Sequence, residues 1–362
     1  MSVSAAMPSS LAAELRSSAV LAPCSVIVAR ESDAAAWDAF VAARPDATGY
    51  HEWAWRRVFT RAFGHDPIYL LARRDDAVAG VLPLVLIRSL IFGRSLTSLP
   101  FLNYGGIVAD SPEAANALLD AAAAVARDRR CRYVELRHVA RRFPKLPCKQ
   151  HKVAMELRLA PGLWERLDRK VRNQVRKAQK SELTVETGGV ALLPEFYGVF
   201  ARNMRDLGTP VYASRFFVHV LHTFPERARL HVVRLAGKPV AAGLTYRTGP
   251  RLEIPWASSI RDYNALCPNH LLYWSILEGA IADGVDVFDF GRSTPNEGTY
   301  KFKEQWGAKP VWLHWEYALL QGTALPNASP TNPKFQLAIK LWKKLPVSIA
   351  TRVGPSIVRA IP

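Results

Sequence analysis

The sequence predicts an α/β protein with mixed α+β sheets, arranged as two tandem domains and closed by a basic amphipathic tail. Three observations predict it. Helix-period and strand-period patterns interleave along most of the chain, and 49% of residues are hydrophobic, enough for a sizeable core. The order of elements in the first half returns in the second at a roughly constant offset, the mark of an internal duplication. Beyond Gln321 the composition shifts to Pro, Asn and Ser (GTALPNASPTNP) and then to lysine-studded apolar periodicity. The resulting segments are a loose leader 1–23, a first domain 24–160, a basic connecting helix 161–182, a second domain 183–321 and a tail 322–362.

Taken in order, Ser25 to Arg30 (SVIVAR) reads as a strand and Ala34 to Ala43 as a helix ended by Pro45. Tyr50 to Phe63 has Trp53, Trp55, Val58 and Phe59 at helical spacing. Pro67 to Arg73 and Ala77 to Ile87 form a hairpin about Asp75-Asp76, and Leu96 to Val108 is strand broken at Asn103-Tyr104-Gly105-Gly106. Pro112 opens a helix to Arg127, followed by strands Tyr133 to Arg137 and Val153 to Leu159. The second half answers with helices Leu192 to Leu207 and Ser214 to Thr223. A hairpin turning at Gly237-Lys238 comes next, then strand Leu252 to Ser258, helix Pro268 to Asp283, and strands Asp286 to Phe290 and Val311 to Leu319. YVELR at 133 answers VFDFGR at 287.

The formal net charge is +17, which favours an anionic partner: nucleic acid, a phosphate-bearing small molecule or a membrane surface. Cys24, Cys131, Cys148 and Cys267 stand far apart with no CxxC or Cys/His spacing, so neither a disulfide framework nor a zinc site is implied, as suits a reducing cytoplasm. The most apolar run, 77–87, is too short to span a bilayer and contains Pro83. The leader is small and polar, interrupted by Glu14 and Arg16, and does not read as a cleaved signal.

Chemistry concentrates in Asp286 to Gly307. A buried strand breaks at Gly291 into a polar loop carrying Arg292, Asn296, Glu297, Gly298 and Thr299, then closes with Tyr300, Phe302, Lys303 and Trp306. A loop at the edge of a rigid sheet is a common place to present reactive groups. In the connecting helix, Leu163, Leu167, Val171, Val175 and Ala178 should face the protein. Arg166, Arg169, Arg172, Arg176 and Lys180 fall on another face, either solvated or a strip for phosphates, which arginine grips in bidentate fashion. In the tail, Phe335, Ala338, Ile339, Trp342 and Leu345 share a face while Lys334, Lys340, Lys343 and Lys344 are basic. Such a segment either docks on its own protein or contacts a membrane interface peripherally, here through 334–345.

The duplicated layout resembles two tandem copies of the acetyltransferase-like GNAT fold. The stretches Lys170 to Ala178 (KVRNQVRKA) and Phe288 to Gly307 (FDFGR…GTYKFKEQWG) resemble the FemAB family of peptidoglycan-bridge aminoacyltransferases, over about 50–320. With the basic tail, the chain looks like the FemAB-like proteins of exosortase/PEP-CTERM and exopolysaccharide loci. The resemblance implies transfer of an aminoacyl or acyl group to an amine, with aminoacyl-tRNA the family's usual donor. The acceptor it implies is an anionic nucleotide- or lipid-linked cell-envelope precursor, the setting cytoplasmic, at most peripheral at the inner membrane. It assigns Phe302-Lys303 to the family's Phe-Lys pair, with Lys303 on a phosphate or the developing oxyanion. It places Arg205-Asp206 at a step that helps bind the acceptor, and Trp55 and Arg56 along an acceptor groove. Two departures stand out: no long helical-hairpin insertion of the kind some members use for tRNA, and no pyrophosphate motif [RQ]xxGx[GA], whose nearest string, Arg234 to Pro239, falls in a hairpin turn.

Acyl transfer to an amine needs a neutral, aimed amine and a stabilised tetrahedral oxyanion. Asp206, Asp289 and Glu297 are candidate bases, with Asp289 more at home in a sheet interior or capping a helix. Tyr300 can bond substrate or pack, and His270 reads as structural. No nucleophile elbow or Ser-His-Asp order occurs, which argues against a covalent acyl-enzyme. No permanent cofactor is expected, the acyl donor acting as co-substrate. The competing readings are a coenzyme A- or acyl-carrier-protein-dependent N-acyltransferase and a non-catalytic protein that binds a polyanion.

Overall fold

The computed structural model describes residues 23–326 and 333–361; the leader expected at 1–23 lies almost wholly outside them, as does 327–332 of the expected linker. In chain order the first half gives β1 (Ser25–Val28), α1 (Ala34–Ala42), α2 (Trp55–Phe63), β2 (Asp66–Arg74), β3 (Ala77–Ser89), β4 (Gly93–Thr97) and β5 (Val108–Ala109). It continues with α3 (Pro112–Asp128), β6 (Tyr133–His138), β7 (Cys148–Lys149) and β8 (Val153–Arg158). The connecting segment holds α4 (Leu163–Arg166) and α5 (Arg169–Gln179). The second half gives β9 (Leu183–Gly188), α6 (Leu193–Leu207), α7 (Ser214–Thr223), β10 (Ala228–Leu235), β11 (Lys238–Thr248) and β12 (Arg251–Ser259). Then follow α8 (Pro268–Ala282), β13 (Val287–Ser293), α9 (Gly298–Glu304), β14 (Lys309–Trp312) and β15 (His314–Leu319), and α10 (Pro333–Trp342) and α11 (Val347–Val358) form the tail.

The strands make two mixed sheets. The first runs β1-β2-β3-β4-β6-β15-β7, with β5 on β3; the second runs β14-β8-β13-β12-β11-β10-β9. Each contains one parallel pair, and the two pairs correspond. In the first sheet Ser95, Leu96 and Thr97 face Tyr133, Val134 and Glu135; in the second Arg251, Leu252 and Glu253 face Val287, Phe288 and Asp289. Beyond those three residues the strands part. The duplication expected from the sequence is therefore present in the pairing itself.

The segment boundaries 24–160 and 183–321 do not separate the sheets. β8, from the first half, lies between β13 and β14 of the second sheet, and β15, from the second half, lies between β6 and β7 of the first. Each half lends its final long strand to the other, because a strand in the partner sheet gains hydrogen bonds on both edges and buries both faces.

The core falls into three clusters. One lies between the first sheet and α3, one between the second sheet and α5 and α8, and the largest joins both sheets through α1, α2, α6 and α7. The expected single connecting helix 161–182 is instead two, broken where Leu167 turns extended; within the second the pattern holds, Val171, Val175 and Ala178 being buried, and Asp168 caps α5 by accepting from the Lys170 N–H at 2.6 Å. The expected loop after Gly291 is shorter than its composition suggested. β13 runs on to Ser293, and Gly298 to Glu304 coil into α9 after a turn in which Asn296 takes φ 66°. The tail docks on the protein through the anticipated face: the Trp342 indole donates to the Thr209 carbonyl at 3.1 Å, and Gly354 packs on the Val211 backbone. The side chain of Lys334 lies outside the described set.

Candidate active site

The site grows from the place where β12 and β13 part. Gly291 sits there at φ 73°, and a Cβ on it would stand 3.1 Å from the Ile254 carbonyl, so both the turn and the close approach require glycine. Its N–H is taken by the Asp289 carboxylate at 2.8 Å, which bends the strand and turns two carbonyls inward. Lys303, swung back by α9, donates from Nζ to the carbonyls of Gly291 and Arg292 at 3.0 and 3.1 Å. It is only 7% exposed. Burial pulls its ammonium down to about 8, against the pull of Asp289 and Glu253, which favour the charge. An ammonium has three donors; two are spent on the backbone.

Beneath lies a floor of buried carboxylates built by both halves. Asp289 accepts from the Tyr104 hydroxyl at 2.6 Å and from Arg251 at 2.8 Å, and Arg251 also pairs with Glu156. Glu253, at the register position facing Asp289, accepts from the Asn103 amide and from Tyr104 at 3.3 Å. Burial, then the negative charge of Asp289, push the Glu253 carboxyl well above the usual carboxylate range. Tyr104 and Asn103 come from the loop that interrupts the first half's strand pattern. Glu253 and Tyr104, with Tyr50, His138 and the Glu52–Arg227 ion pair, line a cleft of about 1220 Å³.

A cationic cluster stands on the other flank of the parted strands. The Arg292 guanidinium has no ion pair among the described residues, and its Nη1 is buried without a hydrogen-bond partner. It lies 5.3 Å from the Trp315 ring, whose centroid is 4.1 Å from Arg137. Arg137 is itself neutralised by Glu135 at 2.7 Å. Burial and the charge of Arg137 lower Arg292 to about 10. Lys152 donates to Thr294 at 2.6 Å, and burial followed by Arg292 lowers it too. Beside it, burial and Lys152 hold His151 neutral, down at about 4. Arg292 and Lys152, cations side by side with no ion pair to either among the described residues, make a seat for an anion.

On the outer face of α9 a smaller hollow of about 560 Å³ is lined by two cations, Lys170 and Lys301, and two carboxylates, Asp168 and Glu304, with Gly298, Phe302 and Gln305. Phe302 packs there against His270 at 5.2 Å, with Tyr273 and Trp306 behind. His270 stacks on Trp306 at 5.9 Å, with its Nε2 buried and unpartnered; Tyr300 packs on the same aromatic core. Glu297 is exposed at the start of α9, and its side chain caps nothing.

The remaining expected site residues lie elsewhere. Trp55 is fully buried, its indole donating to the Gly49 carbonyl at 2.9 Å and wedged among Tyr50, Phe224 and Tyr246. It is a core residue and lines no groove, because burying an indole of that size outweighs exposing it. Arg56 lies over Trp53 at 5.3 Å and near Glu31 at 3.8 Å. Arg205 and Asp206 bond each other at 2.7 Å, and Arg205 reaches the Leu345 carbonyl: this pair holds the tail. Arg176 covers Trp164 at 5.4 Å, and Arg172 keeps a buried, unpartnered Nε. The sequence reading missed Glu253, Tyr104 and Asn103 as site residues. The signal was a carboxylate inside the apolar strand LEIPWAS, matching Asp289 inside VFDFG. Among the described residues no group of three His, Cys, Asp or Glu is placed to hold a metal.

Residues 165–304 match the family described as Acetyltransferase (GNAT) domain. No curated protein matches the chain. Among solved structures, one described as FemX superposes with a TM-score of 0.63 at 16% identity, covering 87% of this chain and all of its own. A tandem GNAT protein from the clavulanic acid biosynthesis pathway gives 0.55 at 11% identity, covering 83% and 100%. The C-terminal domain of a candidate lysylphosphatidylglycerol synthetase from Agrobacterium fabrum gives 0.52 at 12%, covering 78% and 91%. At these identities the likeness is one of fold: a tandem GNAT-like architecture.

Proposed function

We propose that this chain moves an aminoacyl or acyl group from an activated ester or thioester onto an amine of an anionic cell-envelope or exopolysaccharide precursor, by direct attack with donor and acceptor bound together. The observation that carries the reading is Lys303: a buried ammonium with one donor left over, held where two strands part. That third N–H is free for the oxygen that becomes negative when the amine nitrogen adds to the acyl carbon. The acceptor amine sheds its proton to Glu253, whose raised affinity for a proton suits a base working near neutrality. Collapse of the tetrahedral intermediate breaks the ester or thioester bond, and the departing oxygen or sulfur takes the proton that Glu253 received from the amine. Amide and free alcohol or thiol result, with no covalent enzyme intermediate.

Arg292, with Lys152 alongside, holds a phosphate or carboxylate of the substrate. The hollow beside Lys170 and Lys301, which Asp168 and Glu304 also line, offers a second seat for the donor, its lysines meeting the phosphates of a donor such as the acceptor end of a tRNA. Supply of labelled aminoacyl-tRNA and labelled acyl-coenzyme A in separate reactions, with extracted envelope precursors as acceptor, tests the reading. Label moved to an amine by the wild type and lost in Lys303→Met supports it, and the donor that works fixes the donor class. Absence of transfer from both, alongside tight, salt-sensitive precursor binding unaffected by Lys303→Met, would replace it with a polyanion-binding role.

A further inference from the structure

The tail carries a second pattern on the side turned away from the protein. In α10, Leu337 and Leu341 stand one helical turn apart, 69% and 59% exposed. In α11, Ile349, Val353 and Ile357 repeat at the same interval, 38–44% exposed, while Ala350, Gly354 and Val358 of the neighbouring stripe are buried against the protein. The tip of the β3–β4 hairpin belongs to the same patch. Leu90 and Ile91 are 107% and 74% exposed. Phe92, next in the chain, contacts Phe335 of α10 at 5.9 Å. Arg88 on that hairpin and Arg359 after α11 both act on the one His65.

Docking on the protein therefore uses one face of each tail helix and leaves a second apolar stripe in water, where isolated leucines are ordinary but an aligned series is not. Charge says what covers it. Glu316 is the last acidic residue of the chain; after it come Lys334, Lys340, Lys343, Lys344, Arg352 and Arg359 and no acid. Lys340, Lys344 and Arg352 are exposed beside the apolar stripes. An apolar ridge on helices that carry cations and no acid matches the interface of an anionic bilayer, where side chains enter the acyl boundary and lysines meet headgroup phosphates. No described helix is long and apolar enough to cross a membrane.

We infer that α10, α11 and the hairpin tip form a docking surface for an anionic phospholipid membrane, lying in its interface. This goes beyond acyl transfer and does not rest on it. The test is co-sedimentation of the full chain with vesicles of phosphatidylcholine alone and of phosphatidylcholine mixed with phosphatidylglycerol, at low and high salt. Binding should require the anionic lipid and weaken with salt. Leu337→Ser with Leu341→Ser should lower it by about tenfold or more, and Lys340→Gln with Lys344→Gln by about fivefold per lysine. All four positions are exposed, so circular dichroism and Tm should not move. Binding indifferent to lipid charge, binding unchanged by both pairs, or no binding would overturn the inference. So would a dimer in light scattering that Leu337→Ser with Leu341→Ser dissolves, which would give the patch to a second copy of the chain.

Discussion

Replacing Lys303 by methionine separates the catalytic use of this residue from its structural use. The two hydrogen bonds to Gly291 and Arg292 are charge-assisted, so their loss costs about 3–6 kcal/mol together. Against that, burial lowers the ammonium from 10.5 to about 8, and at about 1.4 kcal/mol per unit its removal returns about 3 kcal/mol at pH 7. The net is a loss of about 0–3 kcal/mol, which leaves the protein folded. Activity should suffer far more, because one oxyanion donor is worth about 10²–10³ in kcat. The pH behaviour gives an independent signature. Transfer that needs the ammonium should decline as pH rises past about 8. Because the folded value lies below the unfolded one, this group also makes the wild type gain stability between pH about 8 and 10.5; Lys303→Met should lack both the decline and the gain. The assay is label transfer across pH alongside thermal unfolding of the same samples. Full turnover by Lys303→Met, or activity lost only in step with unfolding, would refute the reasoning.

Glu253→Gln should slow transfer about 10²–10⁴-fold while making the protein more stable at neutral pH. The native carboxyl is pushed above its ordinary 4.5, so its stabilising neutral form is lost as pH rises through that raised value; stability against pH, compared between wild type and variant, checks the sign. Arg292→Ala should raise KM for the anionic substrate with little change in kcat, and high salt should narrow the gap; an unchanged KM would remove Arg292 from the binding site. Trp55→Ala should cost about 3–5 kcal/mol, read as a shifted urea midpoint, and selective loss of substrate affinity at unchanged stability would restore it to a groove. Gly354→Ala places a Cβ 2.6–2.7 Å from the Val211 backbone, so α11 should lift and trypsin should cut sooner after Lys343 and Lys344; an unaltered cleavage rate would show that the contact yields cheaply.

The duplication was legible because it is written in local patterns: hairpins with turn residues at matching places and strands such as YVELR and VFDFGR. Lys303 was legible through its motif, and its burial follows from the bend at Gly291. The carboxylate floor beneath Lys303 was not legible. Glu253 and Tyr104 lie about 150 residues apart in sequence, and only the pairing of whole sheets brings them together. Arg205-Asp206 and Trp55 misled for a related reason. Charged and aromatic residues on helices look alike in sequence whether they meet a ligand, a core or, as with Arg205, the far end of the same chain. Arg292 stood out in the sequence by its place in the loop after Gly291, but its buried, unpartnered Nη1 is a property that no string of letters displays.

The exchange of β8 and β15 has a consequence for how the molecule comes into being. The first sheet begins at Ser25 yet is incomplete until His314–Leu319 arrives. During synthesis its β6 edge stays open while some 175 further residues emerge. Neither half is a separable module: a cut anywhere in 161–182 yields two pieces, each with a gap in its own sheet and a strand belonging to the other. Contacts this distant slow folding, and they weave the duplicated halves into one indivisible unit whose reactive centre exists only after the last long strand has been laid in.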